Sequence, residues 1–228
     1  MVHGTGILRD NVLIQGLVQR RPREDWTMNI LDTRVYRWLE RATDLFLLNL
    51  MWLVACLPVV TIFPSTAAMF GVVRDWVRGK EGSLTRTFIT RFRENLWQSL
   101  LVGAIWAVFG VALFLDFLVA NQLSYWAEIV LKSVLMLVSA VYAFGSVYLF
   151  PVMVHYEADW KTVIKNSLLI SIGRLPTTLA CLVFLAAMVG LTVVVPFLVV
   201  ITGSITAYVV YRLCDRVFRQ IDAAHGDV

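Results

Sequence analysis

Apolar positions in this chain run on in long uncharged blocks, without the alternation of strands or the three-to-four spacing of a soluble helix. A helix rises about 1.5 Å per residue, so roughly 20 apolar residues cross the hydrocarbon of a bilayer. Leu96–Ala120 qualifies with a single acid, Asp116, near its far end, and Trp126–Val154 qualifies with Glu128 and Lys132 near its start. Thr177–Tyr211 carries no charge over 35 residues, too long for one crossing. Two crossings joined by a turn at Val195-Pro196 fit it better, because proline opens helices and breaks their interiors.

The block Asn49–Val73 is also uncharged but holds Pro58 and Pro64 in its middle. Arg34, Arg37 and Arg41 precede it; Arg74, Arg78, Lys80, Arg86, Arg91 and Arg93 follow it. Basic residues collect on the cytoplasmic side of a membrane, so a single crossing would strand one of these groups outside. The distribution therefore favours a helical hairpin: a first helix ending near Cys56, an irregular "LPVVTIFP" turn, and a second helix opening at Ser65 or Thr66. The base-free turns "NQLSYWAE" and Pro196 then lie outside. The segment with Lys161, Lys165 and Arg174 and the tail with Arg212, Arg216 and Arg219 lie in the cytoplasm, as do both termini.

Composition agrees: 59% of the 228 residues are hydrophobic and 16% charged, with a mean hydropathy of +0.73. The fold class expected is an all-α polytopic membrane bundle of about five hydrophobic regions, five or six membrane helices, plus short cytoplasmic amphipathic helices. Residues 1–28 read as a disordered extension without a signal-peptide pattern, 29–215 as one membrane domain, and 216–228 as a cytoplasmic tail.

Two amphipathic stretches stand out. In "SLTRTFITRFRENLW", Leu84, Phe88, Ile89, Phe92 and Leu96 share one face while Arg86 and Arg93 point away. Such a helix either lies on anionic lipid or docks a partner, and Leu84, Arg86, Phe88, Phe92 and Arg93 are the docking candidates. Val35, Trp38, Leu39 and Ala42 form a similar stripe. Within the spans, Asp116 and Lys132 approach the same outer side and form a candidate pair; Lys132 could equally pair with Glu128 one turn earlier or reach for the headgroups. Asn49, Asn95 and Gln98 read as interhelical hydrogen-bond partners. Trp52, Trp97, Trp106, Trp126 and Trp160 read mostly as interfacial anchors.

No HExxH, nucleophile elbow, phosphate-binding glycine loop or carboxylate pair appears in a span, and Cys56, Cys181, Cys214, His3, His155 and His225 have no ligand spacing. The expectation is a protein that is not an enzyme, with no cofactor, no metal and no nucleic-acid partner, and with membrane lipids around it.

At this point the residues carry a resemblance. "LFLLNLMWLVACLPVVTIFPSTAAMFGVV" (Leu45–Val73) resembles the opening of the YesL family of bacterial membrane proteins, with Asn49, Leu57, Pro58, Thr61 and Pro64 at its motif positions. "GSLTRTFITRFRENLWQSLLVGAIW" resembles the family's segment before the second span, including Asn95. "YLFPVMVHYEADWKTVIKNSLLISIGRLPTTL" resembles a third, through Pro151, Asn166, Pro176 and Thr177. Phe63 departs from the family pattern, where glycine often follows the turn's threonine-isoleucine, and glycine takes a positive φ that phenylalanine resists.

The resemblance implies a setting. Such proteins are commonly encoded beside carbohydrate ABC importers, sugar-binding lipoproteins and glycoside hydrolases. It implies an accessory component of oligosaccharide uptake in the cell membrane of a Gram-positive bacterium, with ABC permease subunits as partners. An independent transporter or channel, and a regulator of carbohydrate use, are the alternatives. A permease subunit itself is not expected, since "NSLLISIGRLP" keeps only the end of the loop pattern that docks an ATPase.

Overall fold

A computed structural model of the chain describes residues 28–80, 82–122, 124–156 and 158–226, with side-chain surroundings from Leu39 to Ala223. The chain divides into two units, 1–42 and 43–228. The expected disordered extension, apart from Met28, and Val35, Trp38 and their charged neighbours on the second stripe fall outside the residues or side chains described.

Helix α1 (Met28–Ala55) begins in the first unit and ends in the second. A single 3-10 turn (Val59–Thr61) leads into α2 (Ile62–Val77), followed by α3 (Leu84–Ala120), α4 (Tyr125–His155) and α5 (Trp160–Gly173). Then come α6 (Leu175–Val194), a second 3-10 turn (Pro196–Leu198) and α7 (Val199–Gly226). No strand occurs among the described residues. The protein is thus an all-helical polytopic membrane bundle. Among the described residues, four helices are long and apolar enough to cross a membrane: α3, α4, α6 and Pro196–Ala223, most of which is α7.

The first apolar block turns back on itself. Pro58 is extended (φ −75°, ψ 117°) and cannot continue α1. The Thr61 hydroxyl lies 2.6 Å from the carbonyl oxygens of both Ala55 and Pro58, supplying a donor to carbonyls left over where α1 ends. Trp52 Nε1–H then donates to Thr66 Oγ1 at 3.2 Å, which sets α2 beside α1. With 16 residues, α2 is about 24 Å long, short of the roughly 30 Å of bilayer hydrocarbon. Phe63 lies within α2, so its departure from the family's glycine costs the turn nothing. Its ring fills the space left by Gly103 on α3, where a Cβ would come within 2.2 Å. Gly79, at φ 71°, ends α2: its amide bonds the Trp76 carbonyl at 3.1 Å and that of Lys80 bonds Asp75 at 2.9 Å, a Schellman closure.

The amphipathic stretch from Leu84 is the first part of the continuous 37-residue α3. No proline or turn signal separates its two periodicities. The basic stretch after His155 contains a helix, α5, which ends at Gly173. At Arg174 the backbone leaves helical geometry (φ −129°, ψ 49°), and Pro176 sits in the first turn of α6. The Thr178 hydroxyl spans the break, 2.8 Å from the Ser171 carbonyl oxygen and 3.0 Å from that of Arg174.

The main core gathers Leu48, Ala67, Ala68, Val72, Tyr148, Val152, Tyr211 and Phe218 from α1, α2, α4 and α7. Helix α7 runs unbroken past Asp215, and Val217 and Phe218 are buried, so packing continues into the first residues of the segment read as a cytoplasmic tail. A separate small cluster, Leu113, Ala120 and Leu135, holds the far end of the α3–α4 hairpin. Trp106 belongs to the packing as well: its indole N–H donates to Ser146 Oγ at 2.8 Å and its ring stacks on Tyr142 at 4.9 Å, where Gly110 leaves room for the tyrosine. It is an interhelical contact and not an interfacial anchor, whereas Trp97 and Trp126 are exposed.

Candidate functional site

Polar side chains concentrate where the last turns of α2 and α4 meet the early part of α3 and the later part of α7. Asp75, buried on α2, receives Nε and Nη2 of Arg91 on α3 at 2.8–3.1 Å, and Arg91 Nη1 reaches Glu94 at 2.8 Å. Gly71, one turn before Asp75, makes this approach feasible: a Cβ there would sit 3.1 Å from the Arg91 side chain. A fork-shaped guanidinium matches a carboxylate edge with two parallel bonds, the geometry that best offsets the desolvation of a buried pair.

Arg74, beside Asp75, turns to α4. Its Nη1 donates to the Val154 carbonyl, one of the acceptors a helix C-terminus leaves without an intrahelical partner. Its Nε is buried without a hydrogen-bond partner, the nearest Asp75 oxygen being 3.7 Å away. Two α3 residues fix the connection that follows α4 and support α3 itself. Gln98 Nε2 donates to the Ala158 carbonyl at 2.6 Å, and Asn95 Nδ2 donates to the Arg91 carbonyl at 2.9 Å.

On the α7 side, His155 Nδ1 lies 3.1 Å from the Tyr211 hydroxyl and 3.4 Å from Arg78 Nη2, and its Nε2 lies 3.6 Å from Asp222 Oδ2. The Tyr156 hydroxyl donates to Asp222 Oδ1 at 3.1 Å. Burial first, then the Asp222 carboxylate, pushes the Tyr156 phenol up to about 12. Tyr156 also lines two cavities. One, of about 460 Å³, lies against Arg74, Arg91, Glu94, Asn95, Gln98 and Asp159. The other, of about 500 Å³, lies against Asn166, Ile170, Arg174 and Asp222.

The residues singled out from the sequence separate into groups. Leu84, Phe88 and Phe92 turn inward, with Phe88 buried and the other two packed on the core; only Arg86 and Arg93 of that set face outward. Leu84, Phe88 and Phe92 of the apolar stripe are therefore used within the chain, while Ile89 stays exposed. Lys132 pairs with Glu128, four residues back on its own helix, and no ion pair joins it to Asp116, which is exposed. The i,i+4 spacing places the nearer carboxylate on the same face of α4.

Asn49 is fully buried and spans two helices, donating to the Val199 carbonyl at 2.8 Å and accepting the Ser204 amide at 3.0 Å. Leu57 is exposed at the turn, while Pro64 and Pro151 are buried in α2 and α4. Asn95 and Asn166 line the two cavities, and Pro176 and Thr177 begin α6.

Sequence reading missed the Asp75–Arg91–Glu94 pairing and the Tyr156–Asp222 bond. Arg74 and Arg91 counted there only as orientation signals. The available clue was Asp75 itself, an acid at the end of a helix that is otherwise uncharged apart from Arg74.

Residues 45–117 match a family model described as "Protein of unknown function, DUF624". Uncharacterized protein YteU of Bacillus subtilis (strain 168) is 28% identical over 199 residues, 85% of this chain and 89% of YteU. Uncharacterized protein YesV of the same organism is 25% identical over 202 residues, 84% of this chain and 94% of YesV. No solved structure matches the chain. Uncharacterized protein YesL of the same organism is 30% identical over 190 residues, 81% of this chain and 88% of YesL. At that identity and coverage, the chain belongs to the YesL family.

Proposed function

We propose that this protein is a non-catalytic component of the cell membrane that packs laterally against another membrane protein, the permease pair of a carbohydrate ABC importer. One observation carries the lateral role. Among the described residues beyond Trp106 and Tyr142, the α3–α4 hairpin buries only Leu113, Ala120 and Leu135, while Val108, Phe114, Val130, Met136 and Leu137 are exposed on it. Lipid covers such faces at no hydrophobic gain between helices, so their association with a partner rests on close packing alone. The choice of partner follows the family resemblance. The basic end, with Arg78, Arg86 and Arg93 exposed, then faces the cytoplasm, following the bias of lysine and arginine to that side, and both termini lie there.

The test is a mild-detergent pull-down of tagged protein from its native host, with the co-purified proteins identified by mass spectrometry. Permease subunits in near-equal amount are the expected result. Recovery of the chain alone, under conditions that keep a known membrane complex intact, overturns the accessory role and favours an independent transporter or a transient regulator.

A further inference from the structure

The cavity of about 500 Å³ beside Arg174 is within the usual range of small-molecule sites, about 300–1,000 Å³. Its depth in the membrane follows from α6. That helix has 20 residues and is therefore about 30 Å long, which matches the hydrocarbon thickness of a bilayer. Arg174, the residue just before it, stands where hydrocarbon gives way to headgroups.

The lining joins two kinds of surface. Leu169 and Ile170 of α5 form an apolar part, and Leu169 is exposed, as are Ile172 and Leu175 close to it in the chain. Asn166, Arg174 and Asp222 form a polar part. Asp222 is already engaged: the Tyr156 hydroxyl donates to its Oδ1 at 3.1 Å, and His155 Nε2 lies 3.6 Å from its Oδ2. Asp215, the acid one stretch earlier on α7, pairs with Arg219 at 2.7 Å. Arg174 is exposed and forms no ion pair among the described residues. Lys165, next to Asn166, is exposed as well, and Arg78 stands 3.4 Å from His155. The charge left over is positive and open to a ligand. At Gly173, which also lines the cavity, an added Cβ would meet nothing within 4 Å.

A free inorganic anion would satisfy the guanidinium and leave the apolar part without an occupant. A purely apolar molecule would leave the guanidinium bare. An amphiphile with an anionic head matches both parts, and a basic pocket between helices at headgroup depth is a place where such lipids bind. We infer that this groove holds an anionic phospholipid, with its phosphate on Arg174 and the Asn166 amide and an acyl chain along Leu169 and Ile170. The site is independent of the accessory role.

The experiment uses full-length protein in nanodiscs of equal parts phosphatidylglycerol and phosphatidylcholine, with the lipids it retains identified by native mass spectrometry. Selective retention of phosphatidylglycerol, unchanged by added inorganic phosphate, is expected. Arg174→Gln should lower that retention by about tenfold or more, as loss of a charge-assisted hydrogen bond does. Gly173→Leu should lower it comparably by filling the groove with the charge left in place. Both variants should melt at the wild-type temperature, and where one melts early the other carries the reading. Lys161→Gln, on α5 but outside the lining, should retain the lipid as wild type does. Equal retention of the two lipids, displacement of the lipid by phosphate, wild-type retention in a folded Arg174→Gln or Gly173→Leu variant, or an equal loss in Lys161→Gln overturns the site. None of these outcomes bears on whether a permease co-purifies.

Discussion

The two ends of the α3–α4 hairpin are held by different physics. At the basic end, α3 and α4 meet α2, α5 and α7 through buried charge pairs, glycine-mediated approaches and hydrogen bonds to helix-end carbonyls. At the far end, three buried apolar residues suffice and most of the surface faces outward. A bilayer accounts for the contrast. Hydrocarbon solvates an exposed leucine as well as a protein does, so the far end needs few internal contacts. Hydrocarbon solvates no polar group, so charges and amides buried wholly or in part at the other end, such as Asp75 and Gln98, are held by partners within the chain, while Arg78, Arg86 and Arg93 stay exposed. Substitutions at the two ends should accordingly differ sharply in cost.

The largest effect is expected at Asp75. Asp75→Ala leaves Arg91 mostly buried with only Glu94, and breaking a buried pair from one side costs about 3–5 kcal/mol. Thermal unfolding in detergent, followed by tryptophan fluorescence, should show a large drop in melting temperature. The double replacement Asp75→Leu with Arg91→Met should recover most of that loss, because it removes both desolvation costs together. A double variant as unstable as the single would mean that the pair contributes more than charge compensation.

Asn49 comes next. Asn49→Leu removes a donor to Val199 and the acceptor of the Ser204 amide, a loss of about 1–3 kcal/mol for buried groups left unpaired. Gly203→Ala should destabilise for a related reason, since its Cβ would lie 2.4 Å from Asn49 Oδ1. The two substitutions should be non-additive: with Asn49 shortened to alanine, Gly203→Ala should cost less than it does alone.

Much of this architecture is legible in the sequence because membranes tax polarity so heavily. Arginines on both sides of Asn49–Val73, together with Pro58 and Pro64, indicated the return of the chain that the Trp52–Thr66 bond now shows. The turn at Pro196 was equally plain. The unbroken α3 was harder to read, since the amphipathic phase of Leu84–Leu96 gives way to the uniform apolar phase without any breaker between them. The site was the least legible part. Asp75 and Arg91 lie 16 residues apart across a turn, and no periodicity in one helix reveals which residue of the next it will meet. Phe88 and Phe92 show the converse: an amphipathic stripe reports that a face is buried, and only the packing tells what buries it.

A smaller effect should appear at alkaline pH. The Tyr156 phenol titrates at about 12, against an ordinary value of 10.0. Above pH 10 the unfolded chain releases this proton while the folded chain retains it, so this contribution to stability falls as pH rises from 10 to about 12. Tyr156→Phe should flatten that part of the pH–stability curve while leaving the curve below pH 9 parallel to wild type. An unchanged alkaline slope would place the phenol in water and not beside Asp222.

The smallest effect should be at the far end, where charge and exposure coincide. Asp116 is exposed on α3, and Lys132 is already neutralised by Glu128 on its own helix. If Asp116 and Lys132 held the hairpin closed, Asp116→Asn and Lys132→Met would each destabilise, and the double variant would cost less than their sum. With Lys132 turned to Glu128, the two should add within about 0.3–0.5 kcal/mol, as independent sites do. The measurable coupling should appear instead between Glu128→Gln and Lys132→Met. A cycle that found coupling only across the hairpin would mean that the far end, like the basic one, depends on an internal charge pair, and that lipid alone does not account for its open packing.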